Sequence, residues 1–196
     1  MRSLTIAAAT LALGAIATPQ LVEKDCNDTC MTYDQATKVA NNFKTLISAY
    51  SNDYANQYLT EDYNDYSDSV TTLIDSGCQG PETLGAVTFD SRAAFEAGQG
   101  SQPDIPFELL NMWYACTGPV VVRWRTALSP EFVTGNIVME TERGNGSEPW
   151  LIKTVYSEFN SGAWLVDLGV FKPNCTADGD SAASSKVKRS LPANIM

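Results

Sequence analysis

Between Tyr33 and Tyr50 the apolar positions are Ala36, Val39, Ala40, Phe43, Leu46, Ile47 and Tyr50, separated by steps of three and four. That spacing lays them on one face of a helix of about four turns. Thr32 followed three residues later by Gln35 is a capping-box pattern, which sets where the helix begins. A second, short helix is expected from Ser51 or Asn52 to about Thr60, carrying Tyr54, Tyr58 and Leu59 inward. The run from Tyr63 to Val70 alternates weakly between polar and apolar and leads to Leu73 and Ile74, predicting a short strand. A turn-rich loop follows around Gly77 to Gly85. Ser91 then offers an N-cap for a helix through Ala93, Ala94, Phe95 and Ala97, stopped by Gly98 and Gly100.

After Pro106 the pattern changes to segments rich in β-branched and aromatic residues. These are Phe107 to Cys116, Val120 to Leu128, Phe132 to Thr141, and Trp150 to Phe159 joined to Ala163 to Phe171. The last two are expected to form a hairpin across Asn160, Ser161 and Gly162. Helices first and an antiparallel sheet second is an α+β arrangement. A sheet of this length can curve around the N-terminal helices and leave one open end as a pocket.

The chain ends shift the picture toward a secreted protein. Met1-Arg2-Ser3 and the apolar run Leu4 to Ala17 read as a signal peptide (1–17) cleaved after Ala17, too short to span a bilayer. Residues 18–29 form an N-terminal segment, 30–175 the domain, and 176–196 a tail expected to be disordered, with a dibasic pair at Lys188-Arg189. In an oxidising compartment disulfides are the default reading of Cys26, Cys30, Cys78, Cys116 and Cys175. Spacing does not determine the pairing. The pairing expected is Cys30 with Cys78 and Cys116 with Cys175, leaving Cys26 free or bound to a partner chain. Sequons at Asn27, Asn145 and Asn174 lie in turn-rich stretches, and glycosylation is expected at Asn27 and Asn145, since a bridged Cys175 would obstruct Asn174.

Charge and composition narrow the chemistry. The 196 residues carry 13 Lys and Arg against 23 Asp and Glu, a formal charge of −10, which disfavours nucleic acid and anionic membranes as partners. The chain has no His, so Ser-His-Asp and Cys-His nucleophile systems and His-ligated zinc are excluded. Asp62, Asn64 and Asp68 superficially suit a calcium loop, but the Gly and Glu that an EF-hand requires are missing. No metal and no cofactor is expected.

The order of elements resembles the nuclear-transport-factor-2-like superfamily. RAAFEAGQG at Arg92 to Gly100, RWRT at Arg123 to Thr126 and WLIKTVYSEFNSGAWLVDLGVFKP at Trp150 to Pro173 are similar to secreted fungal proteins of that superfamily, over about Cys30 to Cys175. The resemblance implies a cone: N-terminal helices in the concave face of a curved antiparallel sheet, around an apolar pocket. The superfamily hosts ketosteroid isomerase, scytalone dehydratase and polyketide cyclases beside non-catalytic binding proteins, so the fold alone chooses no function. The dehydratase style needs a histidine that this chain lacks.

In the isomerase or cyclase style a carboxylate in an apolar pocket abstracts a proton and a Tyr stabilises the enolate. The resemblance points to the stretch Asp62 to Ser69 for that base. Asp65 and Asp68 are three apart, so on a strand only one of them faces the pocket. Tyr50, Tyr63 and Tyr66 are the candidate donors, with Trp113, Tyr114 and Trp124 lining the cavity. Among the strand polars, Arg123 and Arg125 share a face with Trp124 on the other. Arg123, Arg125, Glu140, Lys153, Glu158 and Asp167 read as cross-strand pairs on an outer face. Sharper alternatives put Asp167 or Glu158 in the pocket as an acid, or make this face a homodimer interface. The function expected is a secreted cone-fold binding domain for an apolar small molecule or a secreted or host protein, without catalysis. A lyase or isomerase using Asp65 or Asp68 with a Tyr donor is the alternative.

Overall fold

The computed structural model describes residues 30–77 and 83–172. The capping-box helix is α1 (Tyr33–Ser48): Thr32 Oγ1 accepts from the Gln35 amide, and Gln35 Oε1 accepts from the Thr32 amide. Its buried face is Ala36, Val39, Ala40, Asn42, Phe43 and Leu46, and each large apolar side chain buried there contributes roughly 1.5–3 kcal/mol. Ser51 caps α2 (Asn52–Tyr58), and the chain then runs directly into strand β1 (Leu59–Tyr66). Leu59 is therefore a strand residue. Tyr54, expected to point inward, is exposed and stacks on Tyr58 with ring centroids 5.5 Å apart.

The strand expected up to Val70 stops at Tyr66, because Ser67 turns its side chain onto the Val70 amide and starts α3 (Asp68–Leu73). A 3-10 turn at Ile74–Gly77 follows. Helix α4 (Arg92–Gln99) is capped by Ser91 and ends at Gly100 as expected, while Gly98, also expected to stop it, lies inside the helix. Strands β2 (Glu108–Tyr114), β3 (Val120–Ala127), β4 (Phe132–Arg143) and β5 (Trp150–Phe159) form an antiparallel run, and β1 joins its edge parallel to β5, giving the order β1-β5-β4-β3-β2.

That parallel pairing corrects the expected final hairpin. Register places Tyr66 opposite Tyr156 and Asp65 opposite Val155, so the position beside β5 is already occupied when the chain leaves Phe159. The segment becomes α5 (Ser161–Asp167) instead, with Asn160 Oδ1 accepting from the Ala163 amide as its cap. Ala163 and Trp164 pack back onto the core.

The cysteine pairing is also corrected. Cys30 is bonded to Cys116, not Cys78, because the Met31 amide donates to the Cys116 carbonyl at 2.7 Å and brings the chain start against the β2–β3 turn. Cys26, Cys78 and Cys175 lie outside the described residues, as do Asn27, Asn174, the leader and the tail. Asn145 is exposed in the β4–β5 turn.

The inner face of the sheet alternates with the outer along each strand. Val120, Val122, Trp124 and Thr126 face in on β3, and Val133, Ile137 and Met139 on β4, meeting α1 and Phe95 of α4. One buried carboxylate ties the layers together. Glu148 accepts from Lys38 Nζ (3.0 Å) and Asn42 Nδ2 (3.0 Å) of α1 and from Gln57 Nε2 (3.1 Å) of α2. A carboxylate with three donors offsets its desolvation, as an unpaired one does not.

The Cys30–Cys116 bridge closes a loop across 86 sequence positions. Cys116→Ser is expected to lower stability by about 4 kcal/mol. Urea unfolding followed by tryptophan fluorescence checks this, and non-reducing peptide mapping should recover the Cys30 and Cys116 peptides cross-linked.

Candidate functional site

Strand alternation sends Tyr63 and Asp65 into the interior together, two residues apart on β1. Tyr63 is 0% exposed and Asp65 4%. Tyr63 Oη donates to Asp65 Oδ2 at 3.0 Å, and Oδ1 has no hydrogen-bond partner among the described residues. Burial pushes the Asp65 carboxyl up to about 7, with the Glu158 charge adding to the rise and the Tyr63 bond opposing it. Burial, with the neighbouring Asp65, also drives the Tyr63 phenol well above its ordinary value.

Aromatic rings close around this pair. Phe95 meets Tyr63 edge-on at 5.4 Å, and Phe89 and Tyr50 meet Phe95 at 5.7 and 6.2 Å. Tyr50 Oη donates to Asn52 Oδ1, away from Asp65. Trp124 also faces in, stacked on Phe107 at 4.7 Å and meeting Phe159 edge-on at 5.7 Å. Gly135 gives its indole room: a Cβ there would lie 2.8 Å from Trp124 Nε1 and 2.6 Å from Phe159 Cβ. Rings and branched side chains thus occupy the concave space that the sequence pattern leaves for a pocket.

Among the recesses on the described residues are two that open to the surface. One, of about 520 Å³, lies where β1 departs from β5 register and is lined by Leu59, Thr60, Asp62, Arg92, Glu142 and Leu151, with Asn56 and Glu61 at its side. The other, of about 320 Å³, lies beside Gly118, Glu140 and Lys153. Neither is lined by Tyr50, Tyr63, Asp65 or Trp124.

The remaining candidates separate from the pair. Asp68 begins α3 and accepts from the Gly85 amide at 2.6 Å, so it serves a turn and does not enter the interior. Tyr66 points outward, 38% exposed, and stacks on Tyr156 at 5.4 Å. Trp113 is 54% exposed on β2, and Tyr114, exposed at the end of β2, meets Tyr33 at the start of α1. Neither lines an inner cavity.

Of the six charged residues expected to pair across strands, Arg125 and Lys153 form ion pairs, with partners outside that set. Arg125 pairs with Glu108 and lies 5.1 Å over the Phe132 ring, and Lys153 bridges Asp62 (3.2 Å) and Glu142 (2.9 Å). Glu158 is no pocket acid, because it accepts from the Asp68 and Ser69 amides at the start of α3. Asp167 accepts from the Glu131 amide at 2.7 Å on α5. Among the described residues no group of three His, Cys, Asp or Glu is placed to hold a metal ion.

The outer face carries what strand-by-strand reading missed. Register aligns Tyr66 with Tyr156, Tyr156 with Val138, Val138 with Val121 and Val121 with Trp113. These five side chains form one unbroken row across all five strands, half-buried at the valines and exposed at the aromatics. The alternation on each strand was visible, but the row depends on register.

The family model described as an NTF2-like domain matches residues 29–171. The chain belongs to the NTF2-like domain family. Solved structures similar to this NTF2-like domain include a hypothetical protein with a ketosteroid isomerase-like fold from Catenulispora acidiphila, in complex with trimethylamine. It is 9% identical, covers 69% of this chain and 98% of its own, and has a TM-score of 0.50. A putative polyketide cyclase, IdmH, from Streptomyces antibioticus is 14% identical (69% and 99% covered, TM-score 0.47). A putative ketosteroid isomerase from Kribbella flavida is 12% identical (78% and 93%, TM-score 0.46). At these identities the likeness shows the fold alone. No curated protein matches the chain.

In this NTF2-like domain the folded state favours protonated Asp65, whose carboxyl titrates near 7 against about 4 in the unfolded chain. The associated stability is present in full below about pH 4 and is lost as pH rises to about 7, a fall of up to roughly 4 kcal/mol. Asp65→Asn, which mimics the neutral acid, is expected to flatten that dependence. Denaturant midpoints measured from pH 4 to 8 for both proteins check it.

Proposed function

We propose that this NTF2-like domain is a secreted, non-catalytic binding domain that docks protein through the outer face of its sheet, and that the occupant is a second copy of the chain. The observation that carries this reading is the row Tyr66, Tyr156, Val138, Val121 and Trp113. A continuous apolar strip rimmed by polar groups, with Tyr and Trp at its ends, has the composition of a protein interface.

The register supports a second copy. β4 is the central strand, and Arg123 and Glu158 both align with Asn136, one strand to either side of it. A two-fold axis running along β4 through Val138 carries β5 over β3 and β1 over β2. Glu158 then meets Arg123 of the other copy twice, Tyr156 meets Val121, and Tyr66 meets Trp113. The apolar row supplies affinity and the two rim pairs set the register. A secreted setting is part of the proposal, supported by the apolar leader pattern at 1–17 and by the Cys30–Cys116 bridge.

The filled interior argues against a small apolar ligand inside the cone. A lyase or isomerase reading has one observation in its favour, the contact between Tyr63 and Asp65, whose carboxyl is pushed up to about 7. It needs a substrate route to Asp65, and the two recesses described above are lined by other residues. Sedimentation velocity is expected to find a dimer in the wild type. Val138→Arg sets two guanidinium groups against each other on the axis and should weaken association at least ~100-fold with unchanged circular dichroism. A monomeric wild type at its highest soluble concentration removes the second copy as occupant.

A further inference from the structure

The segment 83–90 crosses the β1 end as a strap. Its holding points are few and concentrate on one residue. The Thr88 and Phe89 amides donate to the Asp65 carbonyl at 2.7 and 3.2 Å, and the Asp65 amide donates to the Phe89 carbonyl at 2.9 Å. Beyond these, Thr88 Oγ1 accepts from the Ser67 amide and donates to the Ser67 carbonyl, and the Gly85 amide donates to Asp68. Phe89 is the strap's one aromatic anchor, against Phe95 and Gly98. Leu84 and Val87 are 54% and 40% exposed, so the strap buries little else. It therefore lies at the low-stability end of the molecule.

Asp65 is bridged backbone-to-backbone with Phe89 of the strap, and its Oδ1 is buried and unpartnered among the described residues, so its ionised form lacks a donor there. Among the described residues the strap is held by these bonds, a Thr71–Thr88 hydroxyl contact at 3.4 Å and one ring, so lifting it is a route by which water reaches that oxygen. We propose that the strap 83–90 is an acid-closed latch: it is shut over Asp65 while that carboxyl is protonated and lifts as the carboxyl ionises.

The groups acting on Asp65 are identifiable. Tyr63 on its own strand favours the ionised form through its hydrogen bond, and Glu158 on β5 disfavours it as a like charge. The other titratable groups on the described elements packed against β1 are Lys153 and Tyr156 on β5, Arg92 and Glu96 on α4, Asp53, Tyr54 and Tyr58 on α2, and Asp90 on the strap itself. Lys153 is engaged by Asp62 and Glu142, and Arg92 lies beside Glu96. The carboxyl's rise to about 7 agrees with the geometry. Because closure favours the protonated acid, opening increases from about pH 4 upward and levels off near 7.

Amide hydrogen exchange tests the latch without any ligand. After correction for intrinsic exchange, the amides of Asp65, Thr88 and Phe89 are expected to open roughly tenfold more per pH unit between about pH 4.5 and 7, then plateau. Amides in β3 and β4, which exchange through global unfolding and share its pH dependence, should stay far better protected than these at every pH. Tyr63→Phe should move the plateau to higher pH, and Asp65→Asn should abolish the rise. Flat corrected exchange in the wild type, or a rise that persists in Asp65→Asn, overturns the proposal. If Asp65→Asn does not fold, the infrared carbonyl band of a protonated carboxylic acid decides instead. Its loss through about pH 7 in step with opening supports the latch, and its absence at pH 5 defeats it.

Discussion

The parallel pairing of β1 with β5 is the constraint on which the rest of the molecule depends. It joins residues 59–66 to residues 150–159 across most of the domain, so its loop-closure cost is met only when the antiparallel core is in place. Once made, it blocks the far side of β5 and turns the chain after Phe159 into a helix. It points Tyr63 and Asp65 into the cone and Tyr66 outward onto Tyr156. It also brings the start of α3 to Glu158, whose carboxylate satisfies two amides that a helix end leaves without partners.

The acidic excess finds structural employment in the same way. Glu148 holds α1 and α2 to the β4–β5 turn, Glu158 caps α3, Asp68 fixes the Gly85 turn, and Asp167 fixes the start of β4. Each carboxylate accepts from groups that would otherwise be short of partners, which is worth more than a surface ion pair. Asp65 is the exception. Among the described residues it has one donor for two oxygens, and its backbone is the one with which the strap 83–90 pairs. The interior thus carries a group whose ionisation works against its burial.

Much of the architecture was legible in local pattern. The α1 capping box, the Ser51 and Ser91 caps and the four strands from Glu108 to Phe159 follow from periodicity and side-chain chemistry within a few residues. Failures came where a long-range contact outweighed local preference. The β-branched and aromatic run after Asn160 reads as strand, but no sheet edge is left for it, and its Asn cap and inward Trp164 suit a helix. Of the site candidates, Asp65 and Tyr63 came together as a strand reading allows, while Tyr66 and Trp113 turned out to lie on the opposite face from Trp124.

By itself the sequence determined the types of α1, α2, α4 and β2 to β5, the α+β class, the absence of histidine chemistry and the residues available to a core, because each rests on neighbours three or four positions away or on composition. Tertiary structure decided which cysteine meets Cys30, which carboxylate is buried, whether the concave face is open or filled, and which outward side chains fall into one row. Those outcomes depend on register and strand order between segments some 90 positions apart along the chain, as with Tyr66 and Tyr156. A one-residue slip in that register would put every side chain of β1 on the other face.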